Sequence, residues 1–158
     1  MSPISPARRG VAATILALLA MASMAACGSS TPKSVPNVTI RTSSTSAVIT
    51  PSNYCFDPTT HCHATSTKIS TIDAKRHSTI TIDVPRVVAD QHWIVTAFTV
   101  TAGGKSTPID GAGSELLHDA ETVRVPVANG TGNYILSVAE LRGLAQSGTW
   151  SVRVQITE

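Results

Sequence analysis

The stretch TWSVRVQIT, residues 149–157, decides the fold class of this chain. Every second residue of the stretch is apolar, and the residues between are polar. The apolar positions are Trp150, Val152, Val154 and Ile156. Successive side chains of an extended strand point to opposite faces, so this alternation predicts a β-strand with one face in a hydrophobic core.

The same alternation recurs along the chain after residue 37 and predicts seven further strands. These are Val38–Thr42, Ala47–Thr50, Thr65–Ser70, Ser78–Val84, Trp93–Thr101, Thr122–Val127 and Asn133–Ala139. The pairs Gly103-Gly104 and Asn129-Gly130 favour tight hairpin turns, because glycine and asparagine tolerate a positive φ. The second pair predicts that the Thr122 strand and the Asn133 strand lie antiparallel.

Many short strands without a long amphipathic helix predict an all-β domain. We expect an antiparallel, immunoglobulin-like β-sandwich of about seven or eight strands, with a closed barrel as the alternative. The likeness is one of architecture, since immunoglobulin domains place a tryptophan between their two bridging cysteines and here Trp93 follows both. Pro126 predicts an edge strand, because proline cannot donate a ladder hydrogen bond. The segments Ser114–Ala120 and Ala139–Gln146 are each expected to form a helical turn.

The first 26 residues have the composition of an export signal. Arg8 and Arg9 precede an uncharged apolar segment, Val11–Ala26, that ends in small residues. A helix that spans a membrane needs about 20 apolar residues, and this segment is shorter. Residues 1–26 are therefore predicted to be a signal peptide, not part of the fold.

Cys27 follows the apolar segment directly. The sequence Met24-Ala25-Ala26-Cys27 resembles the bacterial lipobox, in which the cysteine receives diacylglycerol before a lipoprotein signal peptidase cleaves the chain. The resemblance implies a palmitoylated, membrane-anchored lipoprotein on the outer face of the cytoplasmic membrane. The alternative is ordinary cleavage near Ala25 or Ala26, which leaves Cys27 as a free thiol.

After the predicted signal, the chain divides into two parts. Residues 27–37 contain the lipidated cysteine and a flexible tether, and residues 38–158 form one β-sandwich domain. Arg8 and Arg9 account for two of the twelve basic residues and none of the ten acidic ones, so the mature chain carries ten of each. This balance leaves no electrostatic case for nucleic-acid binding, for which a basic face is the expected footprint.

The loop YCFDPTTHC contains the other two cysteines. In an oxidising compartment, Cys55 and Cys62 are expected to form a disulfide. The flanking side chains make this loop the predicted contact surface for a partner. The residues nominated for contact are Tyr54, Phe56, Asp57, His61 and His63.

The histidines suggest two other chemistries. His61 and His63 lie two positions apart, so their imidazoles could converge on a metal ion in extended chain, but two histidines alone are too few for a tight site. His77, His92 and His118 are candidate bases for a hydrolase, yet the chain has no Gly-x-Ser-x-Gly motif. We therefore expect no metal, no cofactor and no catalytic residue.

Two stretches together carry a family resemblance: VITPSNYCFDPTTHC and ITIDVPRVVADQHWIVTAFTV. They resemble the DUF2771 family, an actinobacterial lipoprotein family with a domain of unknown function, over about residues 37–157. The resemblance implies the location and the fold given above, and it implies no catalytic residue.

The functional expectation is a non-catalytic lipoprotein that binds or positions a partner in the cell envelope. The alternative is an envelope metal-binding protein or hydrolase that uses loop histidines. A site that brings two or more histidines together would favour the alternative.

Overall fold

The computed structural model describes residues 34–57, 62–65, 68–129 and 132–158. Residues Ser34–Glu158 group into one compact unit. In these described ranges the unit contains eleven strands and one helix of four residues. In chain order, the elements are β1 (Val38–Arg41), β2 (Ser46–Ile49), β3 (Asn53–Cys55), β4 (Cys62–Ala64), β5 (Ser70–Lys75), β6 (Thr79–Asp83), α1 (Arg86–Ala89), β7 (His92–Val100), β8 (Ser106–Pro108), β9 (Thr122–Pro126), β10 (Tyr134–Arg142) and β11 (Ala145–Thr157).

The strands form two sheets around one core. The smaller sheet has the order β2-β1-β6-β9, and the larger has the order β4-β3-β11-β10-β7-β8, with β5 paired to the remaining length of β11. The pairing of β5 with β11 is parallel, whereas the other pairings are antiparallel. The predicted antiparallel sandwich is confirmed, with eleven strands in place of seven or eight. Pro126 lies in β9, which is an edge strand as predicted.

Strand β11 lies near the middle of the larger sheet. Its thirteen residues pair with β10 on one side and with β3 and then β5 on the other. Trp150, Val152 and Val154 are fully buried, as their alternation predicts. Because both edges of this strand are paired, its backbone groups are satisfied inside the protein.

Large aromatic side chains form part of the core. Trp150, Tyr54, Trp93 and Tyr134 are at most 1% exposed, and the Trp150 and Tyr54 rings pack over Gly148. A Cβ atom at residue 148 would lie 2.6 Å from the Trp150 ring and 3.0 Å from the Tyr54 ring. Glycine is therefore the residue that lets both rings approach the strand backbone.

The predicted hairpin at Asn129-Gly130 is wrong. Strand β9 pairs with β6 in the smaller sheet, whereas β10 pairs with β7 and β11 in the larger sheet. The chain between them crosses from one sheet to the other, and the buried residues Val127 and Ala128 accompany that crossing. A turn sequence indicates that the chain changes direction, but it does not say which strands pair.

Both predicted helical turns are also wrong. Ala139–Gln146 forms the β10–β11 hairpin, whose turn contains Gly143 at a φ of 62°. Ser114–Ala120 covers the free edge of β7, where Ser114 N donates to the Val95 carbonyl at 3.0 Å. In both segments, backbone N–H and C=O groups form hydrogen bonds with a neighbouring strand and so cannot form the hydrogen bonds of a helix.

The remaining differences concern short elements. The predicted strand at Thr65–Ser70 is replaced by β4 before it and β5 after it, and β3 and β8 have three residues each. Helix α1 was not predicted. No helix in the described part of the chain is long and apolar enough to cross a membrane.

Candidate functional site

Several elements meet at the end of the sandwich where the described chain begins, which we call the proximal end. Thr39, near the start of β1, pairs with Asp83 at the end of β6. Helix α1 follows β6 and leads directly into β7. The starts of β1 and β7 therefore lie at the same end of the sandwich.

The hairpins of the larger sheet reach the same end. His92, the first residue of β7, pairs with Leu141, and Arg142 pairs with Ala145 across the β10–β11 turn. Strand β3 runs toward this end, because Tyr54 pairs with Gly148 near the start of β11. The proximal end thus brings together segments that are far apart in the sequence.

A disulfide joins β3 to β4. Cys55 and Cys62 pair across the two strands, and their sulfur atoms are bonded. The predicted disulfide is confirmed. Because the bridge closes a short loop, it restricts this hairpin in the unfolded chain as well as in the native one.

The predicted contact residues lie around this hairpin. Tyr54 is 1% exposed and packs against Phe56, with ring centroids 5.2 Å apart. Phe56 is half-buried and contacts the ring of the exposed His63, at 5.6 Å between centroids. Asp57 is exposed, and His61 lies outside the described residues. A role in partner contact stays a prediction for these side chains.

A buried ion pair at the end of β10 links that strand to the hairpin. Arg142 Nε donates to Glu140 Oε1 at 2.8 Å, and the Glu140 side chain is fully buried. The same guanidinium donates to the Tyr54 hydroxyl at 2.9 Å and to the Phe56 carbonyl oxygen. Arg142 therefore connects the end of β10 to both residues that flank Cys55.

Burial changes the protonation of this cluster. Burial raises the pKa of Glu140 above its ordinary value, although the Arg142 charge and hydrogen bond act in the opposite direction. Burial also raises the pKa of Tyr54, and the nearby Glu140 carboxylate adds to that rise. Both directions follow from the burial of these two side chains, which are at most 1% exposed.

Sequence reasoning missed Glu140 and Arg142. The usable pattern was the alternation of Tyr134, Leu136 and Val138, which places the next residue of that series, Glu140, on the buried face. The predicted strand ended at Ala139, so the prediction did not include Glu140.

Two histidines meet on the other side of the proximal end. The rings of His92 and His118 lie 4.8 Å apart between centroids. Their neighbours Trp93 and Leu117 exchange two backbone hydrogen bonds, of 3.0 and 2.8 Å, which fix the two side chains next to each other. His118 Nδ1 lies 2.9 Å from Asp119 Oδ2.

The other two histidines of the described ranges, His63 and His77, lie apart from this pair. His77 occupies the β5–β6 turn at a φ of 59°, and His63 contacts Phe56. Across the described ranges, no group of three or more His, Cys, Asp or Glu side chains is placed to hold a metal ion. The chain therefore offers a pair of imidazoles here, not a complete protein ligand set.

The protein is thus a β-sandwich domain that carries a disulfide-linked hairpin at its proximal end. A family model described as a protein of unknown function (DUF2771) matches residues 31–147. The match covers most of the chain, and the protein belongs to this family, as the sequence resemblance predicted. Comparisons with curated proteins and with solved structures gave no match.

Proposed function

We propose that this protein is an exported lipoprotein, acylated at Cys27, whose sandwich domain binds or positions a partner in the cell envelope without catalysis. The observation that carries the proposal is the place of Cys27. It directly follows the apolar segment, and only residues 28–33 separate it from Ser34, where the compact domain begins. The proposed location is the outer face of the cytoplasmic membrane.

The physical requirement for such an anchor is more than one acyl chain. Each buried methylene contributes about 0.8 kcal/mol, and a single chain binds a bilayer only reversibly. A diacylglycerol group supplies two chains on one cysteine and so gives stable attachment.

The disulfide supports export. Disulfides persist in oxidising compartments outside the cytoplasm and are rare within it. The bond between Cys55 and Cys62 fits a domain that folds after translocation.

The same hairpin supports the contact role. Arg142 holds Tyr54 and Phe56, and the disulfide joins β3 to β4, while Asp57, His63 and part of Phe56 stay accessible. A surface that is ordered before binding loses less conformational entropy when a partner arrives. Cross-linking of the acylated protein in cells, followed by mass spectrometry, is the direct search for that partner.

The substitution Cys27→Ala tests the anchor. We expect the chain to lack the acyl mass, because alanine has no sulfur to acylate. We also expect less of the protein in the processed, membrane-bound form. Intact mass and membrane fractionation measure both. Ser30→Ala, in the same segment, is the matched control and is expected to leave both unchanged. A parent protein that begins upstream of Cys27, or carries a bare thiol there, contradicts the proposal.

A second candidate function, metal binding, is favoured by one observation: the contact between His92 and His118. Zinc binds imidazole nitrogen at about 2.0–2.1 Å, so two histidines on one ion have ring centroids about 5 Å apart. The observed 4.8 Å fits this spacing. The Asp119 carboxylate at His118 Nδ1 is the kind of partner that orients a metal-binding imidazole.

Titration of the full-length protein in detergent with Zn²⁺ or Cu²⁺ tests this candidate. We expect His118→Ala to abolish binding and Asp119→Asn to weaken it by about tenfold or more, since the carboxylate orients the ring. Asparagine tolerates the positive φ of residue 119, which is 56°. The control is His77→Ala. If the His77 and His118 variants bind metal equally, the paired histidines form no site.

A further inference from the structure

The path of the chain into the domain is fixed at the proximal end. Trp150 Nε1 donates to the Pro36 carbonyl at 2.9 Å, and Val35 packs against the core. The last residues of the predicted tether thus lie on the domain surface. The segment between the domain and Cys27 is correspondingly short.

The length of this segment limits how the domain can face a membrane. From Cys27 to Ser34 there are seven residue steps, which span at most about 25 Å when fully extended and about 15 Å as a flexible chain. The nine residues of β7 alone extend about 30 Å along the sandwich. If Cys27 is held in a leaflet, the opposite end cannot turn toward that leaflet, because Ser34 would have to lie beyond the reach of the segment. The segment therefore keeps the proximal end close to the lipid.

The proximal end exposes large apolar side chains. Leu144, in the β10–β11 turn, is 106% exposed relative to a reference residue, and no neighbour covers it in the described structure. Leu116, beside the residue that pairs with Trp93, is 55% exposed, and Val87 on α1 is 49% exposed. A side chain that stays exposed contributes no apolar burial to the fold, so Leu144 is available for contact with an apolar surface outside the domain.

The charges at the proximal end do not attract the domain to anionic lipid headgroups. Arg86 forms ion pairs with Asp90 at 2.7 Å, with Glu121 at 3.4 Å and with Asp119 at 3.8 Å. The one exposed guanidinium of α1 is therefore neutralised locally and offers no free positive charge to anionic headgroups. Apolar burial is the contribution that remains.

We propose that Leu144 inserts into the headgroup region of the leaflet that holds the acylated Cys27, with Leu116 and Val87 exposed at the same end of the domain. The proposal rests on the acylation proposed above and adds a second contact, which sets the orientation of the domain. The disulfide hairpin then lies close to the lipid surface, so its partner is a molecule reached at that surface.

The test uses the full-length acylated protein in vesicles of phosphatidylcholine and phosphatidylglycerol. With Cys27 acylated and Cys55 bonded to Cys62, the substitution Leu144→Cys introduces a single free thiol for an environment-sensitive dye. Val100→Cys is the matched control, because Val100 is 51% exposed and lies at the other end of β7. We expect a several-fold rise in emission and quenching by nitroxide-labelled lipids at residue 144, and neither at residue 100.

The intact mass of the same sample separates the two proposals. If the protein is acylated and the dye at residue 144 reports water, the insertion is refuted and the lipoprotein proposal stands. If the mass shows no acyl group, both are refuted. A change at residue 144 in cell membranes but not in vesicles refutes lipid insertion and assigns the leucine to a protein partner.

Discussion

Replacing Arg142 by alanine is expected to destabilise the domain by about 3–5 kcal/mol, because it leaves the buried Glu140 carboxylate without its counter-charge. The variant also loses the hydrogen bonds from the guanidinium to the Tyr54 hydroxyl and the Phe56 carbonyl. Chemical denaturation followed by tryptophan fluorescence measures the loss. The control is Arg124→Ala on an exposed position of β9, where a change within about 0.5 kcal/mol is expected.

The loss of stability caused by Arg142→Ala should depend on pH in a defined direction. Burial raises the pKa of Glu140 above 4.5, so the native protein holds this proton to a higher pH than the unfolded chain does. Stability therefore falls as the pH rises above that value, because charging the buried carboxyl then opposes folding. Without Arg142 the pKa rises further, and the deficit of the variant widens toward neutral pH and narrows in acid.

Glu140→Gln in the Arg142→Ala background removes the titrating group and should remove that pH dependence. A deficit below about 1 kcal/mol at neutral pH, or one that is the same at every pH, would show that the ion pair does not hold the hairpin.

Removing the disulfide with the paired substitutions Cys55→Ser and Cys62→Ser is expected to lower the free energy of unfolding by about 2.5 kcal/mol. The bridge joins residues seven positions apart, and closing a loop of this size removes conformational entropy from the unfolded chain. The denaturation midpoint of the parent protein with and without reductant measures the same quantity without mutation.

The two measurements of the disulfide check each other. The reduced parent and the serine variant should agree, and the reductant should leave the serine variant unchanged. Cysteine-specific labelling of the native parent at residues 55 and 62 would mean that the thiols are free. An unchanged midpoint would mean that the bridge adds no stability.

Periodicity predicted the sandwich because one buried face imposes a strict alternation. Strand β6 shows it over its full length and β11 shows it from Trp150 to Val154, and Ile80, Ile82 and Val154 are buried as the pattern requires. The disulfide was predicted from the two remaining cysteines and the expected compartment. These conclusions depend on local sequence.

Pairing between distant strands could not be predicted in the same way. Arg142 and Tyr54 are separated by 88 positions, and they meet only because β3 and β10 both lie beside β11. His92 and His118 meet because the Leu117 backbone pairs with Trp93. Three-residue strands such as β3 are too short for an alternation to be recognised.

The hydrogen bond from Trp150 to Pro36 has a mechanical consequence. It links the segment before β1, a strand of the smaller sheet, to the central strand of the larger one. A pulling force on the N-terminal chain is therefore shared between the two layers instead of peeling one edge strand away. The Trp150 indole that donates this hydrogen bond is also a natural fluorophore, so its emission should change when tension is applied.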